Sequence, residues 1–408
     1  MDIDFVRTKF PGLRDDFIFM DNAGGTQVLG CVIDRTSEYF KNFYVQLGAT
    51  YEVSAKSSLK LDESLCSIAS FINAKDIKEI IVGPTTTMLL RILSICISRL
   101  WKPGDEVVVT NSDHEANVSC WTDLKKKGII IKIWKLNPET LEFDLNDLAK
   151  LLSSRTRLVA MCHVSNIIGT INPVREAAKI VHAAGVLLCV DGVAHAPHRH
   201  VDVTDLDVDF YTFSTYKVFG PHQAVMFGKY HLLREMDGIN HYFFTKDDIP
   251  YKFQPGNVNF ELTYSLGAIP EYFTGLHDHH FPAETAISTF QKFKKSYDLI
   301  ALHEEELSTM ILEYLTTIKE ISIIGERTGS RLKRVPTISF IHQRYRSSEV
   351  VSRMDAFRIG IRYGDFYAKK IIYDLDLEEK DGVIRVSLVH YNTKEEVTKL
   401  IEAFERIL

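Results

Sequence analysis

Cysteine is scarce in this 408-residue chain: there are six, at Cys31, Cys66, Cys96, Cys120, Cys162 and Cys189, and none beyond residue 189. No two are spaced as CxxC and most lie inside apolar runs, so reduced core thiols are expected rather than disulfides or a metal site. Positive charge is also short. The 48 Lys and Arg against 54 Asp and Glu leave a net charge of -6, which gives no footprint for nucleic acid or an anionic membrane. The strongest basic run, Lys125-Lys126-Lys127, reads as a solvated helix end. Long hydrophobic runs are missing too: the most apolar helical stretch, Met88 to Trp101, is too short to span a bilayer and contains Arg91. The opening Met-Asp-Ile-Asp-Phe-Val-Arg has no apolar core of the signal-peptide kind, and no internal repeat or low-complexity segment occurs. A soluble cytoplasmic protein is the expectation.

What is present is ordinary globular composition, with 45% hydrophobic and 25% charged residues. At this length two domains in one subunit are expected. The chain is organised around Val208 to Pro221, a short apolar strand that breaks into Ser214, Thr215 and Tyr216, then a single lysine, Lys217, then Gly220-Pro221. Burial at a strand end disfavours a charged amine, and a neutral amine can form a Schiff base with a carbonyl. Alone, Lys217 could equally lay its stem on the apolar run and reach water. Upstream, Val186 to Val190 reads as a parallel strand buried on both faces, and it ends in Asp191-Gly192. A carboxylate at such a strand end sits where open α/β sheets place their ligands. Pyridoxal phosphate needs a lysine for its Schiff base and a carboxylate to keep its ring nitrogen protonated. Asp191 and Lys217 supply that pair.

Asp191-Gly-x-x-x-x-Pro-His198 followed by Ser214-x-x-Lys217-x-x-Gly220-Pro221 resembles the class V, fold-type I pyridoxal phosphate enzymes, the group that contains the cysteine desulfurases. Tyr216-Lys-Val-Phe-Gly-Pro-His222 is most similar to the cysteine desulfurase-like branch, and the resemblance runs in one order from about Asp4 to the C-terminus. It implies an α/β protein of the fold-type I transferase kind. A large domain, 21–265, would carry a mostly parallel, seven-stranded-type sheet, with a smaller α+β domain made from 1–20 and 266–408. A homodimer is implied as well, because such sites are shared between subunits.

In chain order, Asp21 to Thr26 turns tightly with Gly24-Gly25; the resemblance puts Ala23 and Gly24 at the substrate pocket. Strand patterns at Glu79–Gly83, Glu106–Thr110, Ile129–Trp134, Arg157–Met161 and Val186–Val190 alternate with helical ones, which describes a doubly covered sheet. Pro84-Thr-Thr-Thr87 opens a helix, and hydroxyls with free amides at a helix N-terminus suit an anion. By resemblance Thr86, Thr87, Ser214 and Tyr216 hold the cofactor phosphate. His114 would stack on its ring, and Asn166 would bond its ring hydroxyl. Gln254 to Glu261 resembles the loop that crosses a dimer interface, with Asn259 as a cofactor contact and Phe260 where many relatives carry a hydroxyl.

Farther on, Arg385 lies in the apolar stretch Val383 to Leu388. Its planar fork suits a carboxylate, and the family's arginine here holds a substrate α-carboxylate, so an amino-acid substrate is implied. Gly360 to Ala368 departs from the family. Cysteine desulfurases carry on the corresponding loop a cysteine that takes sulfur as a persulfide, whereas this chain has Phe366 or Tyr367 there. A phenol cannot replace a thiolate in that step. Cys120 follows His114 by six residues, but a helix would turn it into the core. The leading expectation is therefore a lyase acting on the Cβ–S or Cβ–Se bond of a cysteine-like amino acid, with Lys217 as base and no enzyme persulfide. An aminotransferase or epimerase on the same scaffold is the alternative. A desulfurase with a non-standard thiol and a binding protein that has lost activity complete the set.

Overall fold

The computed structural model describes residues 1–408. A two-residue strand, β1 (Ile18–Phe19), precedes the large sheet. That sheet contains β2 (Ile80–Gly83), β3 (Glu106–Thr110), β4 (Ile130–Trp134), β5 (Thr156–Cys162), β6 (Leu187–Asp191), β7 (Phe210–Ser214) and β8 (Ala224–Gly228). Their order is β2-β8-β7-β6-β5-β3-β4. All pairs are parallel except those of β8, which runs antiparallel to both β2 and β7.

Apart from the edge strand β4, which is only partly buried, these strands are buried on both sides because helices cover both faces. Val107, Val109, Leu158, Ala160, Cys189 and Phe210 point into one core. Their neighbours Val108, Val159, Leu188, Val190 and Tyr211 point into the other. This is the period-2 alternation of a pleated strand. Helices Thr86–Ile97 and Ala116–Thr122 close the first face, while Val174–Ala183 and Ala268–His280 contribute to the second.

The smaller unit is a four-stranded antiparallel sheet of β9 (Ile321–Ile324), β10 (Thr337–His342), β12 (Arg362–Gly364) and β13 (Val383–Ser387), in the order β12-β13-β10-β9. The short β11 (Ile359–Gly360) pairs in parallel with β1. Its core joins Met20 to Leu307, Ile311, Phe340, Val386 and Phe404.

One core runs across the expected 265/266 division: it joins Val6, Phe10, Ile269, Phe273 and Tyr297 to residues of the large sheet, and also takes in Ile324, Ile371 and Val383 from the C-terminal part. One helix, Thr289–Thr317, explains this, because its first half is buried in the large core and its second half in the small one. Near its middle, Glu304 accepts from Arg199 at 2.8 Å and pairs with His198 Nδ1 at 2.8 Å, so a fully buried carboxylate ties the helix to the loop after β6. β1 leads from the small unit into the Asp21–Thr26 turn, where Ser387 N donates to Met20 O at 2.7 Å. The turn therefore lies where the two units meet. No helix is long and apolar enough to cross a membrane.

Candidate active site

Three adjacent strands, β5, β6 and β7, end at Cys162, Asp191 and Ser214, so their C-terminal ends open on one place. After Ser214 a single tight turn, Thr215–Lys217, lifts the lysine over the sheet. Thr215 Oγ1 donates to Pro221 O at 2.7 Å, and Gly220 N donates to Thr215 O at 2.9 Å, which closes the turn. Gly220 lets the turn pack closely: a Cβ there would meet Ile269 Cδ1 at 2.7 Å and Thr215 O at 3.1 Å, so both would have to shift.

Above these ends lies a cavity of about 160 Å³ lined by Thr85, Thr86, Thr87, His114, Cys162, Asn166, Asp191, Ser214, Tyr216 and Lys217, with Ala116, Val164, Val193 and Ala194 as its apolar wall. Eight of the residues expected from the sequence meet here: Thr86, Thr87, His114, Asn166, Asp191, Ser214, Tyr216 and Lys217. A larger cleft of about 600 Å³ opens beside Lys369 and Asp374 but contains none of them.

Thr86 and Ser214 share a hydroxyl hydrogen bond of 2.7 Å, which brings the start of helix Thr86–Ile97 to the end of β7. Thr85 caps that helix by accepting from Met88 N at 3.1 Å. The free amides of its first turn make an anion site with these hydroxyls. The Tyr216 ring stacks on His222, with centroids 4.8 Å apart. A Cβ on Gly25 would make only an ordinary contact with that ring at 3.4 Å, whereas one on Gly24 would meet Asp21 Oδ2 at 2.9 Å and Asp21 O at 3.1 Å, which explains a glycine at that position of the Asp21–Thr26 turn.

Lys217 is 8% exposed, and burial pushes its amine down to about 8, helped by the positive Arg385 and opposed by Asp191 and Asp21. Asp191 is 5% exposed and accepts from Val193 N at 2.9 Å; burial raises its carboxyl to about 6, opposed by that bond and by Lys217. His114 is held down at about 4 by burial, then by the charges of Lys217 and Arg385, so its ring is neutral at pH 7. Its Nδ1 accepts from Ala116 N at 3.0 Å.

Arg385, on β13 of the small sheet, is not part of the cavity wall but contacts Asn166, which is. Its guanidinium donates to Asn166 O at 3.1 Å and to Asp21 Oδ1 at 2.9 Å, and its Nε finds no acceptor. Ala23 and Gly24 stand beside this pair rather than in the cavity wall: Ala23 N donates to Ser387 Oγ at 2.9 Å, and Gly24 N to Asp21 O at 3.0 Å. Asn259 is not brought to the cavity of the single chain. Its side chain caps helix Phe260–Leu266 by accepting from Leu262 N at 2.8 Å, and its amide bonds Glu261.

The Gly360–Ala368 loop contains no cysteine, and Cys120 offers no reactive thiol. Cys120 is packed beside Trp121 in the core under the sheet, where burial raises its thiol far out of the reactive range. Phe366 covers the Arg385 guanidinium, and Tyr367 stands outward, 68% exposed, with its ring 5.4 Å from that of His114. Two groups at the site escaped the sequence reading. Cys162 is the cysteine that lines the cavity, and burial with the charge of Asp113 keeps its thiol protonated. Asp113 is itself buried, accepting from Cys162 N at 3.0 Å and Asn117 Nδ2 at 2.5 Å, which staples the end of β3 to β5. Its place just before His114 was the available signal.

The doubly covered sheet with a lysine and a carboxylate at neighbouring strand ends defines an α/β enzyme of the fold-type I class. The aminotransferase class-V model matches residues 18–400. Among individual proteins, the chain is 39% identical to aminotransferase-like protein FGM3 of Gibberella zeae, over 100% of this chain and 98% of that one. It is 35% identical to the cysteine desulfurase-like protein ustD of Aspergillus flavus, over 100% and 91%. The crystal structure of the cysteine desulfurase CsdA (S-sulfonic acid) from Escherichia coli superposes with a TM-score of 0.83 at 24% identity, covering 100% of this chain and 98% of that one. The chain belongs to the class V aminotransferase family, in its cysteine desulfurase-like part, whose members use pyridoxal phosphate. The site fits that cofactor: the buried Asn166 Oδ1 has no partner, Lys217 offers a partly neutral amine, and the Asp191 carboxylate accepts a single protein hydrogen bond, from Val193 N.

Proposed function

We propose that the protein is a pyridoxal phosphate-dependent lyase that cleaves the Cβ–S or Cβ–Se bond of a cysteine-like amino acid without an enzyme persulfide. The observation that carries this is the pairing of an intact Lys217, Asp191 and Arg385 set with a loop that presents Phe366 and Tyr367 where desulfurases present a thiol. The cavity's own cysteine, Cys162, is held protonated.

Thr86, Thr87, Ser214 and Tyr216 would hold the phosphate and Asn166 the ring hydroxyl, and the neutral His114 ring would offer a stacking partner for the cofactor. Asp191 keeps the ring nitrogen charged: with its carboxyl at about 6 it is mostly ionised at pH 7. When bound, the cofactor supplies an electron sink for negative charge at the substrate Cα. Arg385 orients the α-carboxylate, with Ala23 and Gly24 beside it. The Lys217 amine takes the Cα proton as general base, and the Cβ–S electron pair leaves with sulfur. From cysteine the products after water addition are pyruvate, ammonia and sulfide.

A homodimer supplies the remaining contact, Asn259 reaching the second subunit's site. Exposed Phe40, Tyr44, Tyr51, Leu59 and Met88 offer apolar surface for that association. The six unpaired cysteines are in keeping with a soluble cytoplasmic enzyme. A second reading, transamination, is favoured by the similarity to an aminotransferase-like protein.

The test is the visible spectrum and product set of the purified protein with cysteine, cysteine conjugates and common amino acids. A yellow protein that Lys217→Ala renders colourless, releasing pyruvate and ammonia from a sulfur substrate, meets the proposal. Alanine with sulfane sulfur would restore a desulfurase, and a keto acid with a pyridoxamine spectrum would establish transamination. A protein colourless with added cofactor would leave a binding scaffold.

A further inference from the structure

We propose that Phe366 is a positioning residue for Arg385, holding the guanidinium so that the site accepts a free carboxylate and rejects its neutral amide. This rests on the reading that Arg385 binds the substrate α-carboxylate. The Phe366 ring centroid lies 3.6 Å from Arg385 Cζ, a face-on contact of a buried, 1%-exposed arginine. Two edges of the fork are already fixed, one on Asn166 O at 3.1 Å and one on Asp21 Oδ1 at 2.9 Å. Nε, in the same plane, has no acceptor. With one face covered and two edges tied, the guanidinium cannot tilt, and an incoming group meets it edge-on with a buried N–H still to satisfy. A carboxylate oxygen answers both the charge and that N–H, whereas a carboxamide turns donors as well as an acceptor toward a cation.

The loop is built to keep Phe366 there. Phe366 and Tyr367 are consecutive non-glycine residues in the left-handed region, with φ of 48° and 60°, a conformation that persists only when its surroundings enforce it. Asn166 Nδ2 donates to Phe366 O at 2.9 Å, and Glu115 N donates to Tyr367 O at 2.7 Å. Both anchors are on backbone carbonyls, so exchanging the Phe366 side chain leaves them in place.

The experiment titrates cofactor-loaded wild type, Phe366→Leu, Phe366→Tyr and Arg385→Gln with L-alanine and L-alaninamide, neither of which carries a β leaving group, and reads dissociation constants from the absorbance change. Phe366→Leu is expected to weaken alanine binding about 5- to 30-fold, the range of a desolvated cation–π contact, and alaninamide binding less than about 2-fold. Phe366→Tyr keeps the ring and the wild-type preference. If Phe366→Leu loses the cofactor spectrum, Phe366→Met takes its place in the same titration. An unchanged alanine-to-alaninamide ratio in the ring-lacking variant, with the ratio collapsed in Arg385→Gln, overturns the role of Phe366 alone. An unchanged ratio in Arg385→Gln as well overturns the carboxylate reading of Arg385 and this inference with it.

Discussion

The amine of Lys217 should titrate well below an ordinary lysine, and the consequence is large enough to measure directly. Burial brings it from 10.5 to about 8, the nearby Arg385 charge adds to the effect, and Asp191 and Asp21 oppose it. At about pH 7.5 an amine of pKa 10.5 is neutral roughly one time in a thousand, and one of pKa 8 about one time in four, a gain on the order of 200-fold in nucleophile. The assay strips the protein of cofactor and offers pyridoxal phosphate at a series of pH values. Each reaction is trapped with borohydride, and the label on Lys217 is counted by peptide mapping. The attachment rate should rise through a midpoint near 8. Arg385→Gln, which removes a cation, should move the midpoint up, and Asp191→Asn, which removes an anion, should move it down. A midpoint at about 10 or above, that of a solvated lysine, would refute the burial argument. The same shift has a stability sign. Between about 8 and 10.5 the unfolded chain holds a proton on this lysine that the folded chain has released, so its contribution to stability rises with pH across that window. Lys217→Met should remove that slope.

Asp113 has the opposite sense. Burial raises its carboxyl from 3.8 to about 7, so the folded protein holds a proton there that the unfolded chain has lost, and this group costs stability as pH rises from about 4 to 7. The melting temperature of Asp113→Asn relative to wild type should therefore climb over that range; a constant difference would refute the assignment. Glu304→Gln strips the charge from a fully buried carboxylate held at 2.8 Å by both His198 and Arg199, and should cost about 3–5 kcal/mol in urea unfolding, against under about 1 kcal/mol if water screened the group. Cys162→Ala should leave sulfur release unchanged, because the thiol is protonated; loss of sulfane sulfur in that variant would reinstate a persulfide route.

Local patterns determined much of this protein by themselves. Strand periodicity is carried by neighbouring residues, so β2 to β7 stand close to where apolar runs predict them, and Asp191 and Lys217 could be placed at strand ends because a parallel sheet puts all such ends on one side. The helix start at Thr86 and the glycine turns at Gly24-Gly25 and Gly220 were readable for the same reason. What only the tertiary structure decided involves partners far apart in the chain. Asp21 meets Arg385 across 364 positions, and nothing in either segment's periodicity marks the other. The choice between Phe366 and Tyr367 turned on two left-handed residues that aim one ring inward and the other out. Asn259 was matched to a cofactor role by motif, yet in one chain its side chain serves as a helix cap, since any contact across subunits lies outside a single chain's packing. Cys120 and Cys162 are both buried. Cys120 faces the helix-covered core, whereas Cys162 ends its strand at the cavity, and the sheet's pairing made that difference.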